Sequence, residues 1–124
     1  MAREWELKLT VEGDRKWLSL NQREHYMTRA KKIRAWRSYA EQTARTVGVP
    51  TLGRATITGH IYKNRVGRYD PHNLFPTLKA IIDGIVDAGV LADDDHTHLR
   101  AALEHGGINR QEPPHLIITI KEEP

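Results

Sequence analysis

Apolar and polar residues alternate over residues 4–11, with Trp5, Leu7, Leu9 and Val11 on one side and Glu6, Lys8 and Thr10 on the other. This predicts a half-buried strand, closed by a turn at Glu12-Gly13-Asp14. Residues 16–23 keep no period. The run that follows, as far as Val47, has helical spacing: Tyr26, Ile33, Trp36, Tyr39, Ala40 and Val47 can share one stripe, and Gly48-Val49-Pro50 stops it. Residues 51–62 alternate again, with Ala55, Ile57, Gly59 and Ile61 opposite Arg54, Thr56, Thr58, His60 and Tyr62. Leu74, Leu78, Ile81, Ile82 and Ile85 then recur at three- and four-residue spacing, predicting a second helix with Asn73 as N-cap, Pro76 in its first turn and Gly89 at its end. Leu99, Ala101 and Leu103 predict a third strand broken at Gly106-Gly107, and Leu116, Ile118 and Ile120 mark a last strand over residues 115–121. The order β-α-β-α-β-β predicts a single-domain α/β (α+β) chain: one mixed sheet, two helices covering one face, the other face left for a partner.

A length of 124 residues suits that single domain. The chain has no cysteine, which excludes a disulfide framework, a thiolate metal site and a thiol nucleophile. No apolar run has the length of a secretion signal or a bilayer span, so a cytoplasmic protein with no membrane association is expected. The formal charge of +3 is unevenly spread, with nine Lys or Arg against three acids between Asp14 and Arg45. A cationic half of this kind suits a polyanion; a solvated helix face is the plainer alternative.

Carboxylates flank the second helix. From Leu74 to Ala88 a helix is roughly 21 Å long, and an extended return from Gly89 to Asp94 covers up to about 17 Å. Asp70 and Asp94 can therefore approach one another beside the helix N-terminus, with Lys79 tilted toward the same end. Clustered carboxylates, a lysine and a basic surface are the parts of a metal-dependent phosphodiesterase: oxygen donors hold Mg²⁺ or Mn²⁺ and an ammonium stabilises charge on phosphate. Each residue also has a plain structural explanation. Asp93-Asp94-Asp95 is a solvated loop, Asp83 pairs with Lys79 at i,i+4, and Asp70 before Pro71 forms a turn. His96 and His98, two apart on a strand, could join a transition-metal site, whereas His25, His60, His105 and His115 read as surface or hydrogen-bonding residues. Without GxGxxG, a P-loop or GxSxG, no nucleotide cofactor and no serine hydrolase is expected.

The segment RYDPHNLFPTLKAIIDGIVDAGVLADDDHTHL resembles the RusA family of Holliday junction resolvases, small dimeric endonucleases of phage and prophage origin. Asp70 stands for the family's first metal-binding aspartate, Asn73-Leu74 for its Asn-Leu, Lys79 for the catalytic lysine and Asp83 for the aspartate four residues later. Ala88-Gly89 and Asp93-Asp94 complete the match, with Asp94 a metal ligand. The polar segment SLNQREHY is similar to the one ahead of the family's first helix. His72 replaces the second metal-binding aspartate, and three extra residues separate Asn73 from Lys79, nearly one helical turn. Imidazole at that position shifts preference from Mg²⁺ toward Mn²⁺ or another transition metal, and Asp95 is an alternative carboxylate. The resemblance implies a RusA-like fold, a homodimer and paired nicks in branched DNA at four-way junctions. The catalytic set would be Asp70, Lys79 and Asp94, the metal donors Asp70, His72, Asp93, Asp94 and Asp95. Phosphate contacts are expected from Arg15, Lys16, Asn21, Arg23, Lys63, Arg65 and Arg68.

Overall fold

The alternating segments become four strands in the computed structural model, which describes residues 3–124: β1 (Glu4–Thr10), β2 (Ala55–Lys63), β3 (Leu99–Ile108) and β4 (His115–Glu122). Helix α1 (Tyr26–Val47) links β1 to β2, and a 3₁₀ turn (Pro71–Leu74) leads into helix α2 (Phe75–Asp87). The result is a single α+β domain in the expected order. In the sheet the strands lie β1-β4-β2-β3, with β4 antiparallel to both neighbours and β2 parallel to β3.

Register explains which residues are buried. Leu7 faces Ile118, which faces Gly59, which faces Leu103, so one row crosses all four strands on the core side. Gly59 leaves room there for Leu78 of α2, whose Cδ1 would lie 3.3 Å from an added Cβ. On the opposite face Glu6, Thr119, Thr58 and Ala102 form the matching row, which is exposed or half-buried. Trp36, Ala40 and Ala44 are the buried stripe of α1. Tyr26 and Val47, expected on that stripe, lie at the helix ends and are 75% and 45% exposed. The helices cross at Gly84, where only a hydrogen side chain lets the Arg37 carbonyl approach.

Three local features differ from expectation. Asn73 does not cap α2: it lies inside the 3₁₀ turn, whose N-cap is Asp70, and α2 begins at Phe75 with Pro76 in its first turn. Gly106-Gly107 does not end β3. Ile61 pairs with His105 and Tyr62 with Gly107, so Gly106 is the extra residue of a bulge, and the Tyr62 ring lies 2.7 Å from where its Cβ would be. His96 and His98 belong to the turn before β3, not to a strand.

The aperiodic residues 16–23 are held by buried polar contacts. Trp36 Nε1 donates to the Lys16 carbonyl at 2.8 Å. The fully buried Thr77 hydroxyl accepts from Leu18 N–H at 2.8 Å and donates to Leu18 C=O at 3.0 Å. Valine at position 77 keeps the shape and removes both bonds, orphaning a backbone donor and an acceptor in the interior. Thr77→Val is expected to destabilise the fold by about 2 kcal/mol, read as a lower urea midpoint at unchanged slope. No helix of the described residues is long and apolar enough to cross a membrane.

Candidate active site

Gly89 takes a left-handed φ of 84° that L side chains rarely adopt, which ends α2 and turns the chain back. Thr51 Oγ1 donates to Gly89 C=O at 2.7 Å and Leu52 N–H donates to Val90 C=O at 2.7 Å, anchoring the reversal to the loop before β2. Val90 and Leu91 are buried, and the acidic run then returns along α2. Its Asp94 carboxylate meets the Lys79 ammonium, which also donates to Asp83 Oδ1 at 2.7 Å. Lys79 is thus shared by two carboxylates, one from its own helix and one from the returning chain. Asp83 first and then Asp94 raise the Lys79 pKa, and the Lys79 bond is the main cause holding Asp94 below the ordinary carboxylate value.

Asp70 enters α2 from the other direction. Its Oδ1 accepts the His72 backbone N–H at 3.0 Å, with His72 Nδ1 3.7 Å away. No ion pair joins Asp70 to Lys79 among the described residues. Asp93 Oδ1 accepts the Asp94 N–H at 2.7 Å. Asp95 is engaged in its own turn: Oδ1 accepts from Thr97 N–H at 3.0 Å, from the Thr97 hydroxyl and from His98 Nδ1 at 2.7 Å. The donor chemistry, carboxylate oxygen with one imidazole, suits Mg²⁺ or Mn²⁺. Among the described residues no group of three or more such side chains is gathered around one point.

Thr97, and then His98, hold the Asp95 carboxyl down at about 2, against an ordinary 3.8. Because the folded value is the lower one, the turn's contribution to stability is complete above pH 3.8 and is lost as the pH falls through about 2. A carbon-13 titration of the Asp95 carboxyl is expected to give its midpoint near 2, with the Thr97 amide signal moving in step.

The basic surface is smaller than the charge count suggests. Arg15, Arg29, Lys31, Lys32, Arg37 and Arg45 are in ion pairs, leaving Lys16, Arg23 and Arg34 of that run without one among the described residues. Most of these pairs are local, with Glu12, Asp14, Glu24 or Glu41, and one, Arg37 with Asp87, joins α1 to α2. Arg37 holds Asp87 of α2, with a second bond at 2.9 Å. Arg15, expected at phosphate, turns inward: its Nε donates to Thr10 C=O at 3.0 Å and its guanidinium lies 3.8 Å from the Tyr39 ring centre. Lys16, Asn21, Arg23, Arg65 and Arg68 are exposed. Lys63 is half-buried between the rings of Trp17 and Tyr69, neither of which the sequence pattern singled out. Tyr69 lies next to Asp70 in the chain, and that adjacency was the available signal; Trp17 lies in an aperiodic stretch and offered none.

No family model and no curated protein matches this chain.

Proposed function

We propose that the chain is a divalent-metal-dependent, structure-selective endodeoxyribonuclease that acts on four-way DNA junctions as a homodimer. The observation that carries this reading is the Lys79 ammonium shared by Asp83 and Asp94 on the helix that the Asp70 turn enters. The motif's resemblance to junction resolvases supplies the substrate and the cytoplasmic setting. Asp70 and Asp94 would hold Mg²⁺ or Mn²⁺, with His72, Asp93 and Asp95 as further donors. A bound ion there supplies an activated water and neutralises charge on the phosphate.

Lys79, its pKa raised, is cationic at neutral pH and cannot serve as a general base. It offers a proton-bearing charge to a phosphate oxygen, exchanging Asp94 for substrate while Asp83, one turn along the same helix, keeps it in place. A two-fold junction is matched by two copies of one surface. The second reading, a junction binder that does not cut, is favoured by His72, an exposed imidazole where the resemblance implies a metal-binding carboxylate. Four-way junctions and linear duplex incubated with Mg²⁺ or Mn²⁺ separate the two. Nicking confined to the junction and abolished by chelator supports the nuclease; salt-sensitive binding without cleavage supports the binder.

A further inference from the structure

We propose that Lys63 is a preformed seat for a backbone phosphate of the DNA strand leading to Asp70, its ammonium held between the rings of Trp17 and Tyr69. The inference rests on the DNA-directed reading above and adds a phosphate site whose residues are separate from Lys79. Lys63 Nζ lies 4.8 Å from the Trp17 ring centre and 4.6 Å from that of Tyr69. These π-faces fix the ammonium in position but carry no compensating negative charge.

The contrast with Lys79 is informative. Lys79 has two carboxylates, whereas Lys63 has no ion-pair partner among the described residues, and Arg65 and Arg68 follow it in a loop with no acid between them. Burial, with Arg65 beside it, pushes the Lys63 pKa below the ordinary lysine value, so an arriving anion would relieve an existing cost. A cleft opens on each side of Lys63, one of about 410 Å³ bounded by Trp17 and Pro114 and one of about 160 Å³ bounded by Arg68 and Tyr69. Three cations within six residues, with no acid among them, suit a phosphodiester chain better than a lone carboxylate.

Tyr69 is also fixed from its far side. Its hydroxyl is hydrogen-bonded to His105 Nδ1, and the two rings meet edge-on with centres 5.4 Å apart. His105 precedes the Gly106 bulge in β3. Tyr69 directly precedes Asp70, so the ring that holds Lys63 is tied through the backbone to the turn that carries that carboxylate. Such a seat positions the strand and does not read its bases.

The test uses the full chain in chelator, so that nothing is cut, with a labelled four-way junction and a short oligothymidylate as probes. Lys63→Met keeps the apolar stem between the rings. It is expected to weaken both probes about tenfold and to reduce the slope of log affinity against log salt by about one, while Lys63→Arg retains most of the affinity. In the parent, the Lys63 ammonium followed by NMR is expected to titrate higher with oligothymidylate present. Equal affinity and slope for parent and Lys63→Met overturn the proposal. So does an unmoved Lys63 titration, a readout that needs no variant to fold. Weakened binding with a junction left uncut in Mg²⁺ and Mn²⁺ upholds the seat and removes the nuclease reading. Junction nicking with Lys63→Met unimpaired in binding does the reverse.

Discussion

Asp94→Asn is expected to slow single-turnover nicking of a four-way junction by about 10²–10³-fold in Mn²⁺. Asparagine preserves the shape of the side chain and removes its charge. The carboxamide is a poor donor to a hard cation, and Lys79 is left to Asp83 alone. Removing a negative charge from a surface proposed to face phosphate should leave junction affinity in chelator equal to or above the parent's, which distinguishes a chemical defect from a binding one. Asp83→Asn is expected to cost less, because Asp83 holds Lys79 from within its own helix whereas Asp94 also serves as the proposed metal ligand. Nicking by Asp94→Asn at the parent's rate would remove this residue from the chemistry.

Gly84→Val is expected to destabilise the fold by about 3 kcal/mol. A Cβ at this position would stand 2.1 Å from the Arg37 carbonyl oxygen and 3.0 Å from Ala40 Cβ. The first of these is main-chain and cannot rotate away, so the two helices must separate. Replacing glycine gains helix propensity, up to about 1 kcal/mol for alanine and less for valine, which offsets only part of the overpacking. Thermal unfolding followed by circular dichroism should show a midpoint lower by about 10 °C. The same displacement would strain the Arg37–Asp87 pair beside the crossing, so a loss of that pair's signature alongside the lower midpoint identifies helix separation as the cause. An unchanged midpoint would mean that α1 and α2 do not cross at this glycine.

What could be read from the letters follows from which interactions are periodic. Strict alternation in residues 4–11 and the i, i+2, i+4 spacing of Leu116, Ile118 and Ile120 mark β1 and β4, whose buried apolar residues line one face. The length argument placed Asp94 beside Asp70 with Lys79 tilted toward both; the structure pairs Asp94 with Lys79, while Asp70 is paired with His72. The insertion of β4 between β1 and β2 was not legible, since both pairings join residues far apart in sequence and hydrophobicity does not encode partners. Gly106-Gly107 looked like a break because its purpose lies on another strand, in the ring of Tyr62. Asn73 looked like a cap because Asp70, three residues earlier, takes the capping role for a short turn that has no periodicity. The turn that Asp95 makes with Thr97 and His98 was not legible, because bonds from a side chain to neighbours two and three residues on leave no periodic mark. Which cations of the basic run are ion-paired was not legible, because a pair such as Arg37–Asp87, fifty residues apart, exists only after folding.

The central position of β4 bears on how the molecule is made. A ribosome delivers β1, α1, β2, α2 and β3 before the one strand that hydrogen-bonds to both β1 and β2. The parallel β2–β3 ladder and the α1–α2 crossing can form on the nascent chain, but β1 has no sheet neighbour until residues 115–122 emerge. Folding should therefore finish in one late step, when β4 joins the sheet. Nascent chains stalled before β4 should present β1 and the open side of β2 as adhesive edges to chaperones or to each other.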